Sequence, residues 1–210
     1  ERMNILKLFA DYPFIPSFLD SGKEITDIVY DSRKARPDTI FVAMRGANRD
    51  GHDSCMNAYE NGCRDFVVEH RVTLPNDAIT YLVADSRRAL SVMSRSLFQF
   101  TPKEEKKLVP TQLIAVTGTK GKTSTCMILR SILEAAGRKV GYIGTLGVMY
   151  DGKVLETPNS TPESYEIFRH LRQMRLSGCE YVLIEASSQG VKLHRTADLC
   201  FNLGVFTNLS

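Results

Sequence analysis

At 210 residues, with 43% hydrophobic and 24% charged residues, the chain is long enough for two ordinary domains, each with its own core. A formal charge of +3 is too mild for a nucleic-acid binder, and no basic stripe interleaved with aromatics accompanies it. Five cysteines without a C-x-x-C pair (Cys55, Cys63, Cys126, Cys179, Cys200), a non-secretory N-terminus and no apolar run near the roughly 20 residues of a membrane span point to a cytoplasmic α/β protein with reduced thiols.

In chain order, "DIVY" (27–30) and "TIFVAM" (39–44) read as strands joined by a turn at "RKARPD". "HDSCMNAYENG" predicts a short helix, with Asp53 near its N-cap and Gly62 just past its end. "DFVVE" (65–69) and "ITYLVA" (79–84) are further strands. Asp85 then caps a helix to about Phe98, with Leu90, Met93 and Leu97 on one face. "TPKEEKKLVPTQ" (101–112) shifts to Pro, Lys and Glu and reads as a linker.

A second alternation follows. "LIAV" is a buried strand, and a glycine loop leads into a helix over Lys122–Ala136, with Leu129, Ile132, Leu133 and Ala136 aligned and Gly137 as its stop. "KVGYIGT" is a strand, and "VMYDGKVLE" is a hairpin turned at Asp151-Gly152. A helix over 161–178 opens at Thr161-Pro162 and closes at Gly178; "YVLIE" and "LGVFTN" are strands. The alternation implies a parallel sheet covered on both faces.

Three stretches carry chemistry. In "AVTGTKGKTST" (115–125), an apolar strand, a glycine loop and a helix start succeed one another, which is the context of a phosphate-binding loop. Its glycines let backbone N–H groups approach phosphate, Lys122 supplies positive charge and Thr123 can ligate Mg²⁺. The spacing G-x-x-G-K-T is shorter than the common form. Glu185 ends the strand "YVLIE", where a carboxylate beside a phosphate loop suits a metal, although a capping or solvated role is also open. Asn159, Ser160 and Thr161 precede a helix, and capping or ligand binding both fit them. "YDSR" (30–33) equally fits a turn with Asp31 in an Asx hydrogen bond. His52, His70, His170 and His194 show no metal-ligand spacing.

Taken together, these motifs resemble the Mur ligases, the ATP-dependent amide-forming enzymes of peptidoglycan precursor synthesis. "GTKGKTS" is similar to that family's short phosphate loop. "DSRKARPDTIFVAMRGANRDGHD" is similar to the uridine-nucleotide segment of the branch that extends UDP-N-acetylmuramoyl-L-alanyl-D-glutamate. "NSTPE", "IEASSQGVKLHR" and "FTNLS" follow in that branch's order, so the resemblance spans essentially all 210 residues.

The resemblance implies a small α/β UDP-substrate-binding domain over 1–105 and a parallel-sheet, ATPase-like central domain over 106–210. It implies ATP and Mg²⁺ as cofactors, and diaminopimelate or lysine as the amino acid joined through an acyl phosphate. Carried over by position, Gly118, Thr119, Lys120, Gly121, Lys122, Thr123 and Ser124 form the ATP loop, with Lys122 catalytic. Thr123 and Glu185 match metal ligands. Tyr30, Ser32, Ala47, Asn48 and Arg49 match the UDP end of the substrate; Asn159, Ser160, Thr161, Ser187 and Arg195 match its muramoyl-dipeptide end. Gln189 stands where the family has histidine, Leu193 where some members have glutamine, and Asp38 where glycine usually follows Pro37.

In the family a metal-binding histidine, a carbamylated lysine and an amino-acid-selecting domain follow "FTNLS". The chain is therefore expected to be an N-terminal and partial central region, a monomer that is inactive by itself. Folylpolyglutamate-type ligases share the short loop but lack a UDP-binding domain. A non-catalytic nucleotide-binding homologue is the remaining alternative.

Overall fold

A computed structural model of the chain describes residues 2–46, 49–98 and 110–209. The chain divides into two compact units, Glu1–Leu97 and Phe98–Ser210, and the expected boundary at 105 falls outside the described residues.

The first unit opens with β1 (Met3–Asn4), α1 (Ile5–Phe9), β2 (Ile15–Pro16) and β3 (Glu24–Ile25), elements too short to show a period in sequence. Then come β4 (Asp27–Val29), β5 (Thr39–Val42), α2 (Cys55–Glu60), β6 (Asp65–Val68), β7 (Ile79–Leu82) and α3 (Ser86–Leu97). The sheet runs β2-β7-β6-β5-β4, parallel except for β2 at the edge. Central strands β5 and β6 are buried at every position, which is why "TIFV" and "DFVV" read as nearly unbroken apolar runs.

Asp65 on β6 interrupts that pattern. Its buried carboxylate lies 3.0 Å from Lys23 Nζ and accepts the Tyr81 hydroxyl at 2.9 Å, so the charge is paired where it is desolvated. At α3, Asp85 accepts the Arg88 N–H as the sequence implies, and Leu90 and Met93 face the core. The helix expected at 52–62 is shorter. A 3₁₀ turn, Gly51–Ser54, precedes α2 and is capped by Asp50 rather than Asp53, because Asp50 Oδ1 reaches the His52 N–H at 3.0 Å.

The second unit contains β8 (Gln112–Thr117), α4 (Lys122–Ala135), β9 (Val140–Gly144), β10 (Gly147–Tyr150), β11 (Lys153–Leu155), α5 (Ser164–Leu176), β12 (Tyr181–Glu185), α6 (Ser188–Lys192) and β13 (Leu203–Phe206). Its sheet order is β11-β10-β9-β12-β8-β13; β9, β12, β8 and β13 are parallel, and β10 and β11 are antiparallel. Alternate residues of the parallel strands face opposite layers. Leu113, Ile143, Val182 and Ile184 pack with Ile167, Leu171 and Met174 of α5. Ile114, Val116, Tyr142 and Leu183 pack with Cys126, Leu129 and Leu133 of α4. Both faces are thus covered, as the alternation of strands and helices required. Gly141 marks the closest approach of α5: a Cβ there would lie 2.6 Å from Met174 Sδ.

The hairpin of β10 and β11 turns at Asp151 and Gly152, both at positive φ (51° and 72°), the geometry of a type I′ turn. Two helix expectations change. On α4, Ile132 is 59% exposed, because Cys126, Leu129 and Leu133 form the packed stripe and Ile128 and Ile132 the neighbouring one. The helix expected from Thr161 begins at Ser164, because Thr161 is drawn to the sheet, its hydroxyl donating to the Glu185 carbonyl at 2.8 Å. Among the described residues no helix is long and apolar enough to cross a membrane.

His170, buried on α5, has its pKa lowered, chiefly by desolvation and then by Arg169. A histidine buried in its neutral form binds its proton more readily once unfolded, so stability falls as pH drops below the unfolded value of about 6.5. Thermal unfolding at pH 7.5 and 5.5 should show this loss, and His170→Leu should reduce it; an identical pH slope in both proteins would refute the assignment.

Candidate functional site

In the second unit, β8 ends at Thr117 and α4 starts at Lys122, so Gly118, Thr119, Lys120 and Gly121 bridge them. The two glycines serve different needs. Gly118, at φ +132°, has no room for a side chain: a Cβ would lie 2.1 Å from Thr207 Oγ1 and 3.0 Å from the Asn208 backbone. Gly121 has open space around it but caps α4 at φ +82°, a left-handed conformation that glycine adopts without steric cost.

The loop is braced from beyond β13. The Thr119 N–H donates to the Asn208 carbonyl at 3.0 Å, and the Lys120 N–H to Asn208 Oδ1 at 3.1 Å. Asn208 Nδ2 and Thr207 Oγ1 both donate to the Lys120 carbonyl, at 3.1 and 2.7 Å. The amides of Thr119 and Lys120 are therefore engaged, and the N–H groups at the start of α4, at Lys122, Thr123 and Ser124, are the ones oriented for an anion. Lys122 Nζ donates to the Gly118 carbonyl at 2.8 Å, folding the ammonium back over the loop with two further protons to give. Thr207 and Asn208 stand in the motif "FTNLS", but nothing local in that stretch shows that it grips the loop.

Glu185 ends β12, which lies parallel beside β8 with Glu185 opposite Val116; the Ala186 N–H closes the pair on the Val116 carbonyl at 3.0 Å. The carboxylate is 1% exposed. It accepts the Tyr142 hydroxyl, the Thr145 N–H at 3.3 Å and the Thr145 hydroxyl at 2.9 Å. Burial and this carboxylate push the Tyr142 phenol up, and burial, then Glu185, pushes the Cys126 thiol up to about 12. Oxygen donors from Thr123 and Glu185 suit a hard divalent cation such as Mg²⁺.

A second polar knot meets the backbone carbonyl of Glu185. Thr161, 1% exposed, also meets Ser187 twice: its hydroxyl oxygen lies 3.0 Å from Ser187 Oγ and accepts the Ser187 N–H at 3.1 Å. Ser187 caps α6 through the Gly190 N–H at 3.0 Å. Arg195 donates to the Thr161 carbonyl at 3.0 Å and, through Nη2, to Glu163 at 2.8 Å. Thr161 and Ser187 thus act locally as supports. Asn159 is exposed and Ser160 half-buried, beside them.

In the first unit, Asp31 accepts the Arg33 N–H and opens the 3₁₀ turn Ser32–Lys34, with its carboxyl held below the usual range mainly by the Arg33 side chain. Tyr30 precedes this turn and Ser32 is its first residue. Arg49 is exposed and adjoins Asp50, whose backbone bridges to Arg45; Ala47 and Asn48 lie outside the described residues. Gly51 closes the loop against Met44, whose backbone N would be 2.6 Å from a Cβ.

Asp50, His52 and His70 are the clustered group of possible metal ligands among the described residues. His52, however, faces Asp50 Oδ1 through Nδ1 at 2.5 Å and accepts the Glu69 N–H at Nε2 at 2.9 Å. Both ring nitrogens are occupied, so His52 anchors the loop.

Comparison with known proteins bears on both units. Residues 116–210 match the profile of the Mur ligase middle domain, and residues 24–104 that described as Mur ligase family, catalytic domain. A UDP-N-acetylmuramoyl-L-alanyl-D-glutamate–2,6-diaminopimelate ligase of Clostridium perfringens is 36% identical over 200 residues, 95% of this chain and 40% of the relative. The enzyme of the same name from Clostridium botulinum is 34% identical over 212 residues, 100% of this chain and 42% of the relative. The chain thus spans about 40% of the length of these curated relatives.

Among solved structures, a UDP-N-acetylmuramoyl-L-alanyl-D-glutamate–2,6-diaminopimelate ligase superposes with TM-score 0.80 at 20% identity, covering 100% of this chain and 41% of that one. The MurF ligase of Thermotoga maritima in complex with ADP gives 0.56 at 23% identity, over 87% of this chain and 37% of that one. At these identities the two structures show a shared fold.

Gly118→Ala should displace the loop from Thr207 and Asn208 and cost about 1–3 kcal/mol, since it combines a clash with a left-handed backbone. Denaturant unfolding of the purified variant measures this; wild-type stability would contradict the tight packing at Gly118.

Proposed function

Given that the chain belongs to the Mur ligase family and carries its N-terminal and middle domains, we propose that it is part of a MurE-type enzyme. The activity is an ATP-dependent, ADP-forming amide ligation that extends UDP-N-acetylmuramoyl-L-alanyl-D-glutamate by one amino acid in peptidoglycan precursor synthesis. The observation that carries the reading is the glycine loop and the buried Glu185 at neighbouring strand ends, β8 and β12. The names of the relatives support 2,6-diaminopimelate as the incoming amino acid. Free thiols at all five cysteines and the lack of a membrane-crossing helix among the described residues agree with a cytoplasmic location.

In this reading the D-glutamyl carboxylate attacks the γ-phosphorus of ATP, and ADP leaves with the bridging oxygen. The resulting acyl phosphate is attacked at its acyl carbon by the amine of the amino acid. Phosphate departs, the nitrogen loses a proton and the amide is formed. The chain's part is positioning and charge neutralisation. Gly118 to Ser124 cradle the phosphates, the N-terminus of α4 supplies N–H donors, and the Lys122 ammonium stabilises charge on the transferring phosphoryl group. Mg²⁺ held by Thr123 and Glu185 would neutralise further phosphate charge. Tyr30, Ser32 and the segment 47–49 hold the uridine end. Asn159, Ser160 and Arg195 meet the muramoyl dipeptide, with Thr161 and Ser187 shaping the knot beneath them.

Thermal unfolding tests the two ligand assignments separately. At about 100 times its Kd, UDP-N-acetylmuramoyl-L-alanyl-D-glutamate should add roughly 2.7 kcal/mol, and more than UDP at the same concentration. Mg-ATP should stabilise the wild-type chain but not Lys122→Ala. A shift with ATP and none with either uridine nucleotide would favour another ligase of the superfamily; an unchanged ATP shift in the variant would remove Lys122 from the loop's function.

A further inference from the structure

Among the described residues the buried Glu185 carboxylate accepts three hydrogen bonds, from Tyr142 of β9 and from Thr145 just beyond it. A carboxylate offers about four acceptor positions, two on each oxygen. Oε1 accepts both the Tyr142 hydroxyl and the Thr145 N–H, whereas Oε2 accepts the Thr145 hydroxyl. Among the described residues this leaves one acceptor position, on Oε2.

Two neighbours reinforce the arrangement. The Leu146 N–H donates to the Tyr142 oxygen at 3.3 Å, which directs the phenol's own proton to Glu185. Gly144 leaves the pair undisturbed: a Cβ there would lie 2.3 Å from the Tyr142 hydroxyl oxygen and 2.5 Å from Glu185 Oε1. Tyr142 is fully buried, while Thr145 sits at the exposed rim, so the carboxylate is clamped from the core side and from the solvent side at once.

We propose that Tyr142 and Thr145 are positioning residues that fix the Glu185 carboxylate so that a single acceptor position on Oε2 is presented to the divalent cation of the bound nucleotide. The inference rests on the nucleotide-site reading of the loop and Glu185. Outer partners of a metal-binding carboxylate fix its orientation, and their loss commonly weakens metal affinity about 10–100-fold. A purely structural role would instead lower stability and weaken nucleotide binding with and without metal alike.

The test uses Mn²⁺ as a spectroscopic probe and ADP as the nucleotide. Free Mn²⁺ is followed by electron paramagnetic resonance in the presence of ADP, and ADP affinity is measured by calorimetry with Mg²⁺ or with a chelator. Thr145→Val and Tyr142→Phe should weaken Mn²⁺ binding about 10–100-fold and leave metal-free ADP affinity unchanged, while Thr145→Ser restores Mn²⁺ binding. Thr145 lies at the surface, so its variants remain informative if the buried Tyr142→Phe protein unfolds. Wild-type Mn²⁺ affinity in Thr145→Val, or equal losses with and without metal, would overturn the positioning role alone. If instead the wild-type chain bound ADP with no gain from Mg²⁺, and Glu185→Gln changed nothing, the metal reading of Glu185 would fall and this inference with it.

Discussion

The parallel pairing of β12 with β8 is the contact on which the second unit depends. β8 is followed in sequence by α4 and β9, yet β9 does not lie beside it; β12 is inserted between the two. That insertion brings the ends of β8 and β12 together, one carrying the glycine loop and the other Glu185. Crevices outside the carboxyl ends of parallel strands are where ligands bind in open α/β sheets, because loops and helix N-termini converge there. The same insertion places Tyr142 of β9 on the other side of Glu185. The carboxylate is therefore flanked by both neighbouring strands of β12.

The loop itself is a compromise between openness and rigidity. A phosphate needs backbone N–H groups that face solvent, and a loop with no side chains to pack would be mobile without external support. The chain supplies that support from a distance: β13 runs parallel to β8, and Thr207 and Asn208 continue from it onto the loop. Asn208 binds Lys120 much as a neighbouring strand would, accepting its N–H and donating to its carbonyl. Gly118 allows this grip, since any larger residue would occupy the space that Thr207 fills.

In the first unit, burial of polar groups does the equivalent work. His52 is buried with both ring nitrogens bonded, to Asp50 and to the Glu69 backbone, and Arg45 links Asp50 and Glu69 at the rim. A buried imidazole with two fixed partners holds one orientation, so Asp50, next to Arg49, is tied to the core beneath it. An arrangement that by composition resembles a metal site is, by its hydrogen bonds, an anchor.

Much of this was determined by the sequence itself. Nearly unbroken apolar runs in "TIFV", "DFVV" and "YVLIE" imply buried strands, their alternation with helices a parallel sheet, and Asp151-Gly152 its hairpin, because these signals are local. The context of Lys122 and Thr123, strand then glycine loop then helix, is local too. What only the tertiary structure decided involves residues distant in the chain. The grip of Asn208 on Lys120, the clamp of Tyr142 and Thr145 on Glu185, and the capture of Thr161 by the Glu185 carbonyl leave no periodicity or spacing to read. Ile132 makes the same point for packing: helical spacing groups it with Leu129 and Leu133, but which stripe of α4 meets the sheet depends on how the helix is seated, and that is a property of the whole fold.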